Sequence, residues 1–267
     1  MRIVNLASGS KANSTLLEFE DTKILIDAGL SEKNLKERLF QAGANLNQIC
    51  GVCITHEHTD HFASVEILAK KFDIDFYVHE KLAESRFIKD IQFKEGRLHT
   101  FSDKMFSVGS FDITPFEISH DAISPVGFVV QTHGSKSKVG FVTDLGIVTE
   151  TVKKALYGVK IAFIESNYDE KMLLGGKYPY IVKKRIYGDK GHLSNVQSLE
   201  LAKELYKYGT KCFVLSHISQ NNNTPELAIA NYVDYFESVC DTEGDKVIIK
   251  MSYQNKIGNN FTLKEEF

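Results

Sequence analysis

The stretch THEHTDH, residues 55–61, sets three histidines and two acids within seven positions. Imidazole and carboxylate at that density suit divalent transition metals, and they are rarely gathered in a short loop without use. His56 and His58 are two apart and are followed by Asp60 and His61, whereas two ligands on one helical face would sit four apart. The preceding GVCIT (51–55) is a short apolar, β-branched run that reads as a buried strand. The cluster therefore hangs from a strand end. Downstream, FASVEILAKKF (62–72) spaces Phe62, Val65, Leu68, Ala69 and Phe72 as one helical face, with Asp60 or His61 expected near its N-cap.

Three further ligand candidates close apolar runs: His120 in EISHD, Asp144 in FVTDLG and His217 in VLSHIS. Each alone reads equally well as a polar residue turning from a strand into a loop. Four strand ends delivering His or Asp together are the pattern of one sandwich edge that holds a metal centre.

The elements that must position them are legible as apolar runs. RIVNL (2–6), STLLEF (14–19), KILID (23–27), GVCIT, DFYVH (75–79), FDITPFEI (111–118), VGFVVQT (126–132), KVGFVTD (138–144), KIAFIES (160–166), KCFVLSH (211–217) and KVIIKM (246–251) read as strands. Helical patterns fall at 31–43, after His61, and at 80–90, 149–158, 194–209 and 224–239. Ser194 with Gln197 makes a capping box, and Thr224–Pro225 puts Pro at the first helical position. Each half opens with strands and closes with strand–helix alternation, which predicts an α/β sandwich of two stacked sheets with helices outside.

Composition adds bounds. With 43% hydrophobic residues, only 4 prolines and no low-complexity run, residues 1–267 are expected to form a single domain. No run reaches the ~18 apolar residues of a membrane span, and MRIVNLASGS lacks a signal-peptide core, so a cytoplasmic protein is expected. A net charge of −3 supplies no general field for a polyanion, so any such site must be local. Cys50 and Cys53 in CGVC would face opposite sides of a strand, and together with Cys212 and Cys240 they are expected to be reduced, mostly buried thiols.

The motif HxHxDH followed by His, Asp and His at later strand ends resembles the metallo-β-lactamase fold, over Asp27 to His217. LASGSKANS, ESNYDEKML (165–173) and KKRIYGDKGHLSN (183–195) resemble, within it, the bacterial WalJ/YycJ group of DNA exonucleases. The resemblance implies an αββα sandwich holding two divalent ions, zinc or manganese. His56, His58 and His120 would hold one, Asp60, His61 and His217 the other, and Asp144 would bridge them, with Asp60 central to catalysis. Asp27 would support the metal loop from beneath. Position 168 departs from the group, with Tyr where His is expected, and KYPY (177–180) stands where Trp is commoner. Tyr168 could stack on a base or pack on the surface.

Ligands alone do not choose between carbonyl and phosphoryl substrates. The choice rests on GDKGHLSN, where His192 lies just before a capped helix and is expected to protonate a leaving oxygen or hold a phosphate. Ser194 and Asn195 at that helix start are candidate substrate contacts, as are Ser8, Ser10 and Asn13 of the Gly/Ser loop; each type also serves simply to satisfy backbone. Lys183, Lys184, Arg185 and Lys190 form a local basic patch, either a nucleic-acid contact or a solvated face. The interval from Asp144 to His217 is too short for the inserted domain of RNase J-like nucleases. The C-terminus lacks the helical domain of glyoxalase II, and a metallo-β-lactamase proper commonly has Cys in place of Asp144. The expectation is a two-metal phosphodiesterase acting on DNA, a 5′-to-3′ exonuclease releasing 5′-phosphorylated products by attack of a metal-bound hydroxide. The alternatives are a small-molecule hydrolase (lactonase, thioesterase or cyclic phosphodiesterase) and a regulatory protein with a structural metal.

Overall fold

The computed structural model describes residues 1–240, 246–264 and 266. The first half of the chain lays down β1 (Arg2–Ala7), β2 (Ser14–Phe19), β3 (Thr22–Ile26), β4 (Gly51–Cys53), β5 (Asp75–His79) and β6 (Leu98–Phe101). The second half lays down β7 (Phe106–Val108), β8 (Phe111–Glu117), β9 (Val126–Thr132), β10 (Lys138–Val142), β11 (Ile161–Glu165), β12 (Cys212–Ser216) and β13 (Ile248–Met251), and β14 (Asn260–Thr262) returns to pair with β1. Two seven-stranded sheets result, ordered β14-β1-β2-β3-β4-β5-β6 and β13-β12-β11-β10-β9-β8-β7. Each is mixed: hairpins join β1, β2 and β3 in one and β7 to β10 in the other, β14 lies antiparallel to β1, and the remaining strands run parallel through helical crossovers.

The helices are α1 (Glu32–Gln41), α2 (Thr59–Phe62), α3 (Val65–Lys71), α4 (Glu80–Ala83), α5 (Arg86–Lys89), α6 (Glu150–Leu156), α7 (Glu170–Gly175), α8 (Tyr180–Tyr187), α9 (Asn195–Lys207) and α10 (Pro225–Val239). Three apolar layers account for the stacking. Ile3, Leu17, Ile24, Phe111, Phe128, Phe163 and Val214 fill the space between the sheets. Leu35, Leu39, Val65 and Leu68 seal α1 and α3 onto the outer face of the first sheet, and Val152, Leu199, Leu205, Tyr232 and Phe236 seal α6, α9 and α10 onto the second. This is the αββα sandwich.

Several elements depart from the sequence reading. The helix expected over 62–72 is broken, because the Ser64 N–H is diverted to Ala28 O (2.9 Å) in the loop after β3. Asp60 and His61 consequently lie inside the one-turn α2 rather than at the cap of a longer helix. The segment 80–90 forms two separate turns, α4 and α5, and β6, β7, β14, α7 and α8 come in addition to the elements expected. All four cysteines are unpaired, Cys53 within the layer between the sheets.

Candidate metal centre

At one edge of the sandwich, three strands deliver an acid or a histidine in left-handed backbone conformation: Asp27 (φ 62°) after β3, Asp144 (φ 59°) after β10 and His217 (φ 55°) after β12. Such conformations cost of order 1–3 kcal/mol each for a non-glycine residue and persist where surrounding bonds enforce them. At Asp27 those bonds are visible. Its Oδ1 accepts from the Thr55 N–H (2.8 Å), its Oδ2 accepts from the Thr55 hydroxyl (2.9 Å), and the same Oδ2 holds His61 Nδ1 at 2.7 Å. The loops after β3 and before β2 are also stitched to α2: Ala28 N–H donates to His61 O (2.8 Å) and Asn13 N–H to Asp60 O (2.7 Å). At Gly29 a Cβ would stand 1.6 Å from Asp60 O, so only glycine admits this approach.

Among the described residues, ligand-type atoms converge there in three groups, each with its atoms within 4.8 Å of one another: His56, His58 and His120 form the first, Asp60, His61, Asp144 and His217 the second, and Asp144, Glu165, His192 and His217 a third that overlaps the second. In the first, His120 Nε2 is 3.2 Å from His58 Nδ1, and His120 Nδ1 is turned to Gly191 O (3.1 Å). In the second, His61 Nε2 lies 2.9 Å from Asp144 Oδ2 and 3.4 Å from Asp60 Oδ2, while His217 Nε2 lies 3.4 Å from Asp60 Oδ2 and 3.5 Å from Asp144 Oδ1. His56 Nε2 is buried without a hydrogen-bond partner, and buried Asp144 Oδ2 has the His61 ring beside it at 2.9 Å. An orphaned polar atom of this kind is costly unless a cation satisfies it, and nitrogen and carboxylate donors suit zinc or manganese, so the residues fit a divalent metal.

The electrostatics agree. Burial alone would lower His217, but Asp144, Asp60 and Glu165 outweigh it and hold the ring up at about 10. His61 is raised against its burial in the same way, by Asp144, Asp27 and Asp60. Asp60 and Asp144 are driven well below the usual carboxylate range despite burial, Asp60 chiefly by His61 and Asp144 chiefly by His217 and His61. His56 moves the other way, lowered by burial and then by the charge of His61. Without a cation, protons on His61 and His217 neutralise the carboxylates, and a metal must replace those protons.

Glu165, at the end of β11, escaped the sequence reading. It is fully buried, its Oε1 is 2.8 Å from both His192 Nδ1 and His217 Nδ1, and its Oε2 accepts from the Leu145 and Leu193 N–H groups. One carboxylate thus orients a ligand-type histidine and His192 together. Its signal was an acid closing an apolar strand, as at Asp144, within the quoted ESNYDE. His192 lies at the mouth, its side chain 17% exposed and its Nδ1 3.8 Å from Asp144 Oδ1. Its ring is clamped by Glu165 and not free in the loop before the helix.

The proposed substrate contacts are distributed differently from expectation. Ser194 is buried and its hydroxyl accepts from the Gln197 N–H, which is the capping box. Asn195 is buried too, joined to Ser166 and Asn223. Both are turned inward, with the Asn195 N–H donating to Tyr168 O (2.9 Å), and their side chains are engaged in the protein's own bonds. The Ser8 hydroxyl accepts from the His217 N–H (2.8 Å) and Asn13 Nδ2 reaches Asp60 Oδ2 (3.0 Å), so these two brace ligand-type residues; Ser10 is exposed. Tyr168 is 1% exposed and pairs by a bridge with Ser194, which excludes both stacking on a base and a surface role. In the basic patch, Arg185 makes a bidentate pair with Asp121 at 2.5 and 3.1 Å, and Asp121 in turn lies 3.4 Å from His120 Nε2.

The description "Beta-lactamase superfamily domain" matches residues 22–218, spanning both sheets and every ligand-type residue named above. The chain belongs to the beta-lactamase superfamily. Within that superfamily it is 34% identical over 229 residues to the exodeoxyribonuclease YycJ of Bacillus anthracis, covering 84% of each chain. It is 36% identical over 228 residues to the exodeoxyribonuclease WalJ of Streptococcus pneumoniae, covering 84% of this chain and 83% of that one. The fold is shared with the metallo-beta-lactamase fold protein YhfI from Bacillus subtilis, at a TM-score of 0.72, 15% identity, and coverage of 98% and 99%. Superfamily membership, these relatives and the ligand groups make the chain a metal-dependent hydrolase. Among the described residues no helix is long and apolar enough to cross a membrane.

Proposed function

We propose that the chain is a single-domain DNA exonuclease of the cytoplasm, running 5′ to 3′ and releasing 5′-phosphorylated nucleotides with a pair of divalent ions. The observation that carries this reading is His192 held by buried Glu165 at the mouth of the ligand cluster, in a chain whose relatives over 84% of its length are exodeoxyribonucleases. His56, His58 and His120 would hold one ion and Asp60, His61 and His217 the other, with Asp144 shared. Ions so held supply positive charge to phosphate oxygens and acidify water. The protein's own part is orientation and proton transfer. Asp27 and Glu165 hold the Nδ1 atoms of His61 and His217, which turns their Nε2 atoms inward. Glu165 likewise occupies His192 Nδ1, leaving Nε2 to give a proton to the 3′ oxygen as its bond to phosphorus breaks and the bond from water oxygen forms.

The test is release of nucleotides from end-labelled DNA with Mn²⁺, Zn²⁺ or a chelator, using Asp60→Ala as the blank. Stepwise, metal-dependent release of 5′-nucleotides from the 5′ end is expected, with His192→Ala slower by ~10²-fold at unchanged metal content. Release from the 3′ end would reverse the polarity. No release by a metal-loaded protein would shift the reading to a lactone, thioester or cyclic phosphodiester substrate.

A further inference from the structure

The ion pair between Arg185 and Asp121 is unlike those on the other helices. α1, α3, α6 and α9 each pair a lysine with a glutamate three or four positions away: Lys36–Glu32, Lys70–Glu66, Lys153–Glu150 and Lys203–Glu200. Arg185 instead reaches from α8 across 64 positions of sequence to the residue after His120. An exposed pair adds little to stability, and α8 has no buried residue whose packing the pair could secure. Its place sets it apart. One atom, Asp121 Oδ1, lies 3.1 Å from Arg185 Nη2, 3.4 Å from His120 Nε2 and 3.9 Å from His58 Nε2. The guanidinium thus stands a single carboxylate oxygen away from the all-histidine group.

The backbone that carries Arg185 is fixed to the same loops. The Ser119 hydroxyl donates to Asp189 O (2.7 Å), His120 Nδ1 is turned to Gly191 O, and the His192 N–H donates to Ile186 O (2.9 Å). At Gly191 a Cβ would stand 2.3 Å from Arg185 O and 2.1 Å from Ile186 O, so only glycine lets these segments close. Arg185 is therefore held at both ends, its main chain against the His192 loop and its head against Asp121. Little rotamer freedom is left to lose when a ligand arrives.

Asp121 engages Nε and Nη2, one edge of the planar fork. Nη1 makes no hydrogen bond with a described residue, and the side chain is 60% exposed. The surroundings favour an anion there: six basic residues against two acidic ones give residues 170–190 a net charge of +4 in a chain of −3.

We infer that Arg185 is a substrate-binding residue, aimed by Asp121, whose open edge takes an oxygen of the backbone phosphate next to the one attacked. The inference rests on the nuclease reading and names a contact within it. The neighbouring phosphate is favoured over the attacked one because Asp121 stands between the guanidinium and His120 Nε2, which keeps the cation at the rim of the ligand cluster. A planar fork can hold a carboxylate on one edge and a phosphate on the next, whereas a lysine ammonium offers a point charge without that aim.

The experiment is steady-state release of the first nucleotide from DNA by the metal-loaded full chain, over a range of substrate and salt. Metal content and melting temperature are read for each variant. Arg185→Ala should raise KM ~10-fold or more with kcat within ~3-fold, metal content and melting temperature holding, and Arg185→Lys should recover only part of the loss. The slope of log KM against log salt should flatten by about 0.7–0.9, the share of one phosphate. Asp121→Asn, which keeps the shape but loosens the aim, should raise KM by less. The phosphate on either side of the attacked linkage is then removed or replaced by a neutral methylphosphonate, each in turn. Wild type should weaken at one of the two positions, and Arg185→Ala should be indifferent to charge there. A variant as sensitive as wild type at both positions, or a fall in kcat at unchanged KM, would overturn the contact. Loss of metal at unchanged KM would make the pair a brace for His120, and the contact would fall. Wild type that releases nucleotides beside an unaltered Arg185→Ala overturns the contact and leaves the nuclease reading standing; wild type that releases none removes both.

Discussion

The two ligand groups differ in what stands behind them. His61 and His217 each have a buried carboxylate on the outer nitrogen, Asp27 and Glu165, and they share their pocket with Asp60 and Asp144. The other three are backed by neutral oxygen or by nothing so strong: His56 Nδ1 by the Thr55 hydroxyl (3.0 Å), His120 Nδ1 by a backbone carbonyl, and His58 half-open to solvent, 3.9 Å from Asp121. The same imidazole is therefore a stronger donor in one pocket than in the other. A cation should be held more tightly by the acidic pocket, and the all-histidine pocket should empty first.

Removing what the two pockets share has the largest expected effect. Asp144→Asn keeps a residue that tolerates the left-handed backbone but takes away the charge, and it should abolish nucleotide release and lower the metal content of both pockets, read by elemental analysis beside activity. Retention of a full complement would show that Asp144 does not link them. Next, Asp27→Asn and Glu165→Gln should weaken the acidic pocket by ~10- to 100-fold, read as the later of two steps in a chelator titration moving earlier or merging with the first. A single unaltered step would erase the contrast.

The histidine charges predict a pH dependence that only the ion-free chain should show. His217 is raised from 6.5 to about 10, so the stability it contributes is fully present below 6.5 and is lost as pH rises through about 10. Melting temperature in EDTA should fall across that window, whereas the metal-loaded chain, with its protons already displaced, should stay flat. The smallest effect belongs to Ser194→Ala, which should cost about 1 kcal/mol of stability in denaturant titration through the lost cap and leave DNA affinity unchanged. A fall in DNA affinity would restore Ser194 as a contact.

Much of this was legible because it is written in patterns. Long β-branched runs gave β2, β5 and β9 their full extents, and polar residues closing such runs pointed to His120, Asp144 and His217. β6, β7 and β14 were not legible, being only three or four residues long, and β14 is fixed besides by a partner far away in sequence, Asn260 opposite Val4. α8 has no buried face, so it lacks the apolar period by which helices announce themselves. Glu165 was missed, and Ser194 and Asn195 assigned outward, for one reason: residue type tells that a group is polar, and only packing tells which way it faces.

The ligand-type residues are spread from His56 in the first sheet to His217 in the second, and the site needs both sheets stacked. During synthesis, His56, His58, Asp60 and His61 leave the ribosome long before Asp144, Glu165 and His217 exist to meet them. The emerging chain therefore offers a cation only an open, histidine-rich fragment. Selective loading has to wait until β12 has docked, so the choice of ion is made by a nearly finished protein and not by a nascent one.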